Sequence, residues 1–306
     1  MSPNTLAANS RLTRFTRRNG IKLLMLPVVW AKRAASAELT GLSSRIASLT
    51  RRIPSRCRQA PTGSEFAEHV LRMDSGQREQ AILREVLKGN LPDFLRTLVP
   101  VVFKYQLALT TLTATTFVMP DYLAVGSDQD FLRIPMNLHS ARAIAAHFGF
   151  VLPTRKMVDV IYDQSVYRFT PQPLPAGPQM RSTEYYRIHN DMIEKQSLAR
   201  GFSLGSLVSG HKKDVVMSNR LANLPGQIAI YGWHRAKGAP IQPLSTVHGA
   251  GYADYSHGIR LISDTAIIDE KPRSMDDILH DSVLANVLSD EGVIRVPPEE
   301  MATSAR

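Results

Sequence analysis

At 306 residues and 43% hydrophobic content, the chain is long enough for one large domain or two small ones with a real core. Its net charge of +10 is unevenly spread: residues 1–60 carry 12 Lys/Arg against Glu38 alone, whereas the other 246 carry 25 Lys/Arg against 26 Asp/Glu. This excludes a basic, nucleic-acid-binding body, and the single cysteine, Cys57, excludes an internal disulfide.

Arg11, Arg14, Arg17 and Arg18 precede an apolar run of nine residues, Leu23 to Ala31, and Ala35-Ser36-Ala37 follows. The pattern predicts an export signal over 1–37, hence a periplasmic or secreted protein. A plain basic tail is the alternative. The run is far short of the roughly 20 residues that span a bilayer, so no transmembrane span is predicted. Residues 38–62, rich in Ser, Arg, Thr and Pro, read as a basic linker. The folded body is predicted over 63–296 and a disordered tail over 297–306.

The body begins with helices. Phe66, Val70 and Met73 share one face, and Ala81, Ile82, Val86 and Leu87 share another. A third short helix is predicted over 93–98. From Val101 to Pro135, β-branched and aromatic runs separated by Met119-Pro120-Asp121 and Ser127–Asp130 predict an antiparallel meander. Helices follow over 137–148 and from Thr154, then a proline-rich extended connection over 166–182 and a long helix over 183–198. Strands are predicted over 213–218, 227–233, 259–262 and 265–268, and a closing helix over 275–288. Without a regular βαβ alternation the fold class is α+β: one mixed domain, a largely antiparallel sheet, N-terminal helices and a C-terminal helix. Gly-x-Gly-x-x-Gly and Walker-type loops are absent from the sequence, against a nucleotide cofactor.

Four of the nine histidines fall between residues 211 and 257. His211, Asp214, His234 and His248 are candidate metal ligands, and a His/Asp set of this kind can hold Zn²⁺ and activate a water. His257, Asp254, His248, His211, Lys213 and Arg260 are the candidate catalytic groups. In a metal-free version, one histidine ring is oriented by a carboxylate while another transfers protons. Lys213 and Arg260 would stabilise developing negative charge. Ser256 is a weaker nucleophile candidate, and Trp233, Tyr252 and Tyr255 are candidate stacking platforms for a sugar.

Val247-His248-Gly249 with Ser256-His257-Gly258-Ile259-Arg260-Leu261 resembles the motif of cell-wall L,D-transpeptidases. That family carries its nucleophilic cysteine where this chain has Ile259, so the resemblance implies a lost nucleophile. The wider set GHKKDVV, YGWH and YADYSHGIRL resembles a family of exported bacterial proteins of uncharacterised activity, which implies export. Three functions stay open: an exported hydrolase acting on a cell-envelope or extracellular polymer, a non-catalytic carbohydrate- or peptidoglycan-binding module, and a structural envelope protein.

Overall fold

The β-rich stretch after residue 98 folds first as a hairpin. Strand β1 (Val99–Leu107) pairs antiparallel with β2 (Thr110–Val118), turning at Ala108 with φ 49°. The structure is a computed structural model that describes residues 49–295. The predicted export signal and C-terminal tail lie outside them.

Strand β2 is the spine of a six-stranded sheet. Besides β1 it pairs with β12 (Ile262–Ser263) and β13 (Thr265–Ile268); β5 (Phe150–Val151) and β14 (Lys271–Ser274) extend the sheet. The inward residues of the hairpin, Val101, Phe103, Ala114 and Val118, recur with period two. They pack on Met157, Ile161, Ile278 and Leu279. Each large apolar side chain buried this way stabilises by about 1.5–3 kcal/mol.

A second sheet holds β10 (Ala239–Gly249), β9 (Gln227–Ala236), β8 (Lys213–Val215) and β11 (His257–Gly258), in that order. Its last pair, β8–β11, is parallel. Two further two-stranded pieces are β3 (Ala124–Gly126) with β4 (Phe131–Arg133), and β6 (Tyr167–Arg168) with β7 (Val208–Ser209). The mixed α+β class and the largely antiparallel pairing are as expected. The meander is not continuous, however. Met119 N–H bonds Leu261 O at 3.0 Å and Leu123 N–H bonds Ile259 O at 2.8 Å, which carries the chain off the first sheet before β3.

Helices α1 (Gly63–Val70) and α2 (Ser75–Leu87) each start with a reciprocal capping box, Thr62 with Glu65 and Asp74 with Gln77. Asn137 caps α3 (Leu138–Phe148), which ends at Gly149 in the left-handed region. Thr154 caps α4 (Arg155–Gln164) and Ser182 caps α5 (Thr183–Ala199). The third predicted helix is only a 3-10 turn, Asp93–Arg96. The predicted closing helix is broken into α6 (Met275–His280) and α7 (Ala285–Leu288), because Asp281 Oδ1 accepts the Val283 and Leu284 N–H groups at 2.8 Å each.

Two further expectations change. Residues 53–62, read as linker, lie against the body: Ile53 is buried, Arg56 Nε donates to Asn90 Oδ1 at 2.9 Å, and Arg96 reaches Pro54 O at 2.8 Å. Strand β10 was not anticipated, because Pro240 and Pro243 argue against a strand. It is an edge strand, where proline is tolerated.

Candidate functional site

The site is built on the two-residue pair β8–β11. His257 stands opposite Lys213, and Gly258 opposite Asp214. Side chains alternate across a strand, so His257 and Lys213 share one face while Gly258 and Asp214 share the other. A Cβ on Gly258 would lie 2.6 Å from Tyr122 Cδ1 and 2.7 Å from Lys212 Cβ. Tyr122 thus packs directly on bare backbone, and only glycine permits that approach.

The Asp214 face is an ionic network in which Arg133 Nη2 and His211 Nδ1 make no hydrogen bond among the described residues. Asp214 Oδ2 accepts from Tyr122 Oη at 2.9 Å, and Arg260 lies with its Nε 4.0 Å from Asp214 Oδ1 and its guanidinium over the Tyr122 ring. Arg260 Nη1 donates to Met119 O at 2.8 Å and Nη2 to Val208 O at 2.6 Å. Beside it, His211 Nε2 is 3.1 Å from Asp121 Oδ1, Asp121 Oδ2 accepts from Arg133 Nε at 2.8 Å, and Arg133 Nη1 reaches Glu194 at 2.5 Å. Burial works against the Asp121 carboxylate, but Arg133 and His211 hold it well below its usual range. Burial depresses His211 to about 4 and raises Asp214 to about 6. His211, Asp214 and Arg260 are therefore committed to neighbours inside the protein. His211 and Arg260, expected to act on substrate, each have a partner within the protein.

The other face is different. His257 is 0% exposed, and neither ring nitrogen makes a hydrogen bond. Its ring meets Tyr252 edge-on at 5.6 Å, and Tyr252 stacks on His248 at 4.1 Å with 12° between planes. Asp254 Oδ1 accepts from the Ser256 N–H at 2.8 Å and its hydroxyl at 2.5 Å, and Oδ2 accepts from Tyr252 Oη at 3.1 Å. Lys213 lies half-buried with its ammonium 5.2 Å from the Trp233 ring centroid. Arg181 covers Tyr252 from outside, at 5.4 Å. Burial depresses His257 to about 4, against the opposing pull of Asp254, and it depresses Lys213. Burial disfavours the Asp254 carboxylate, yet His257, Lys213 and the Ser256 bonds lower it overall.

His234 belongs to neither group. It extends from β9 to α4, its Nε2 2.9 Å from Asp159 Oδ1, and stacks on Tyr162 at 4.7 Å. The anticipated metal set of His211, Asp214, His234 and His248 is thus divided among separate neighbourhoods. Among the described residues no group of three or more His, Cys, Asp or Glu side chains is placed to hold a metal ion. His211 and Asp214 share one network but are engaged there by Asp121 and Tyr122, while His234 turns to Asp159 and His248 stacks on Tyr252. Of the catalytic candidates, His257, Asp254, His248 and Lys213 come together. Trp233 and Tyr255, at 5% and 1% exposure, are not surface platforms.

Comparison with known proteins adds no assignment: no family model, curated protein or solved structure matches the chain. The site must be read from its own chemistry. Sequence reasoning missed Arg181 and the role of Tyr252 as donor to Asp254. The Tyr252-x-Asp254-x-Ser256 spacing was the available signal, because an Asp accepting from the residue two further on is an Asx turn. Ser256 is that turn residue. Its hydroxyl points to Asp254, which leaves no activated serine. Ile259 is fully buried at the position that resembles the transpeptidase cysteine.

The remaining chemistry is acid–base. His257 is neutral at pH 7 and can accept a proton on one nitrogen. The Asp254 carboxylate beside it would stabilise the imidazolium so formed. Lys213 can stabilise an oxyanion.

Proposed function

We propose that the chain is an exported hydrolase of a cell-envelope or extracellular polymer that works by general-base catalysis without a side-chain nucleophile. The observation that carries this reading is His257. A buried neutral imidazole with no hydrogen-bond partner, next to a carboxylate and an ammonium, is costly to keep unless it serves chemistry. In the proposed step His257 takes a proton from a water as that water adds to the substrate carbonyl. The tetrahedral oxyanion forms near Lys213. Its collapse breaks the bond to the leaving group, which takes the proton back from the His257 imidazolium.

Burial of Trp233 and Tyr255 weighs against a carbohydrate-binding shelf, since only Tyr252 of the three aromatic candidates is partly exposed. No helix among the described residues is long and apolar enough to cross a membrane, which fits the proposed export but does not require it.

The test is release of soluble fragments from purified peptidoglycan sacculi. Wild-type protein is expected to release them, and His257→Ala to release none while its thermal midpoint stays within a few degrees. Equal release by both proteins, or none by either, would end the reading. Export is checked separately: mature protein from the cell envelope should begin near Glu38.

A further inference from the structure

The face that holds His257 also holds an unusual surplus of hydrogen-bond donors. Lys213 has no ion pair or hydrogen bond within the described residues; its ammonium rests over the Trp233 ring, 5.2 Å from the centroid. The Trp233 indole N–H is buried and makes no hydrogen bond. His257 stands beside Lys213 on the same face, with both ring nitrogens unpartnered. The nearest carboxylate makes no hydrogen bond to them. Asp254 already accepts from the Ser256 N–H, the Ser256 hydroxyl and Tyr252 Oη.

Trp233 is also held in an unfavourable backbone state. Its φ is 58°, in a strand, and a bulky residue is a true outlier there. The strain is retained by neighbours: Trp233 N–H donates to Lys212 O at 3.1 Å, and Tyr255 and His189 pack edge-on against the indole. Such strain costs on the order of 1–3 kcal/mol and gathers at ligand clamps. It holds the indole beneath the Lys213 ammonium. Arg181 over Tyr252 adds a further cation at the exposed rim.

We infer that Lys213, Trp233 and His257 form a binding site for an oxyanion carried by the substrate, a carboxylate or a phosphoryl group. An ammonium, an indole N–H and one imidazole N–H all donate, and all lack hydrogen-bond acceptors among the described residues. Their complement is a group with several acceptor oxygens and negative charge. A neutral sugar hydroxyl could accept from these donors but would add no charge to match the Lys213 ammonium and would leave it to Asp254 alone. The inference rests on the hydrolase reading for the site's purpose, because it names the substrate class of that same site. The binding itself is measurable without turnover.

The experiment is titration calorimetry on the purified full chain at constant ionic strength, with inorganic phosphate and acetate as separate probes against chloride. Saturable binding of either anion is expected, and the tighter of the two assigns the phosphoryl or carboxylate class. Lys213→Met should weaken it at least tenfold. Trp233→Phe keeps the ring but loses the donor, and should weaken it several-fold; it decides the matter if Lys213→Met does not fold. No saturable binding of either anion, or Lys213→Met and Trp233→Phe binding as wild type, overturns the inference. Anion binding without sacculus hydrolysis would leave the oxyanion site standing and remove the hydrolase. Hydrolysis without anion binding would do the reverse.

Discussion

His257 and Lys213 stand side by side in a parallel strand pair, on one face, and each has its charged form disfavoured by burial. Burial keeps the imidazole neutral against the opposing pull of Asp254, and the nearby Lys213 ammonium adds to the effect of burial. The pair therefore combines a base available at neutral pH with a cation for a developing oxyanion.

That relationship sets a pH dependence of stability. His257 and His211 are each lowered from 6.5 to about 4, so between those values the unfolded chain binds more protons than the folded one. Stability must fall as pH drops through that window, by on the order of 3 kcal/mol for each fully shifted histidine. Asp214, raised from 3.8 to about 6, acts in the opposite direction and offsets part of the loss. Urea unfolding at pH 7 and pH 4.5 should show the lower midpoint at pH 4.5. His257→Asn should reduce the difference. An unchanged difference would mean that His257 does not titrate in this way.

Arg133 should be among the least replaceable residues. Its side chain is 0% exposed and paired with Asp121 at 2.8 Å and Glu194 at 2.5 Å, while its backbone N–H bonds Asn190 Oδ1 at 3.1 Å. Arg133→Met leaves the Asp121 carboxylate buried without its main cation. Breaking a buried pair in this way costs about 3–5 kcal/mol. Asp121→Asn in the same background should recover part of that loss, because it removes the stranded charge. Chemical denaturation of the two single variants and the double variant measures the coupling.

Much of the frame was legible in the sequence. The apolar spacing of Phe66, Val70, Ala81, Ile82 and Val86 placed the first two helices, because that periodicity is local. The site was half legible. The run from His248 to His257 gathers because one short loop carries it. His211, His234 and Asp214 do not join it, because they lie on other segments whose facing depends on strand pairing. The parallel contact between β8 and β11 is non-local and has no sequence signal. Asp121 was read as a turn residue; it is the acceptor for both His211 and Arg133.

Gly258→Ala should show how tightly the two faces are coupled. The added methyl would meet Tyr122 Cδ1 at 2.6 Å and Lys212 Cβ at 2.7 Å, and neither is the far end of a flexible chain. Overpacking of this kind costs about 1–3 kcal/mol. Gly251→Ala is the control, with nothing within 4 Å of the new Cβ; it should stay within about 0.5 kcal/mol of wild type. Thermal melts distinguish the two. Equal melting of both variants would place slack between Tyr122 and β11.

Lys212 provides the last prediction. It is 1% exposed, and its ammonium donates to Tyr255 O at 2.6 Å with no carboxylate partner. Burial lowers it from 10.5 to about 7, and Arg133 adds to the effect. The unfolded chain holds the Lys212 proton up to pH 10.5 while the folded chain releases it near 7. Stability should therefore rise with pH across the interval from 7 to about 9.5. Above that interval the raised tyrosines Tyr122 and Tyr252 begin to act the other way, because their folded forms keep protons that the unfolded chain loses. In Lys212→Met the rise should shrink to the part that the depressed Lys213 and Lys156 contribute. The thioether fills similar volume, carries no charge, and loses one donor to the Tyr255 carbonyl, at a cost of about 1–3 kcal/mol that does not depend on pH. Urea midpoints at pH 7, 8 and 9 for both proteins are sufficient. A slope undiminished in Lys212→Met would assign the titration to another group and place Lys212 in its neutral form already at pH 7.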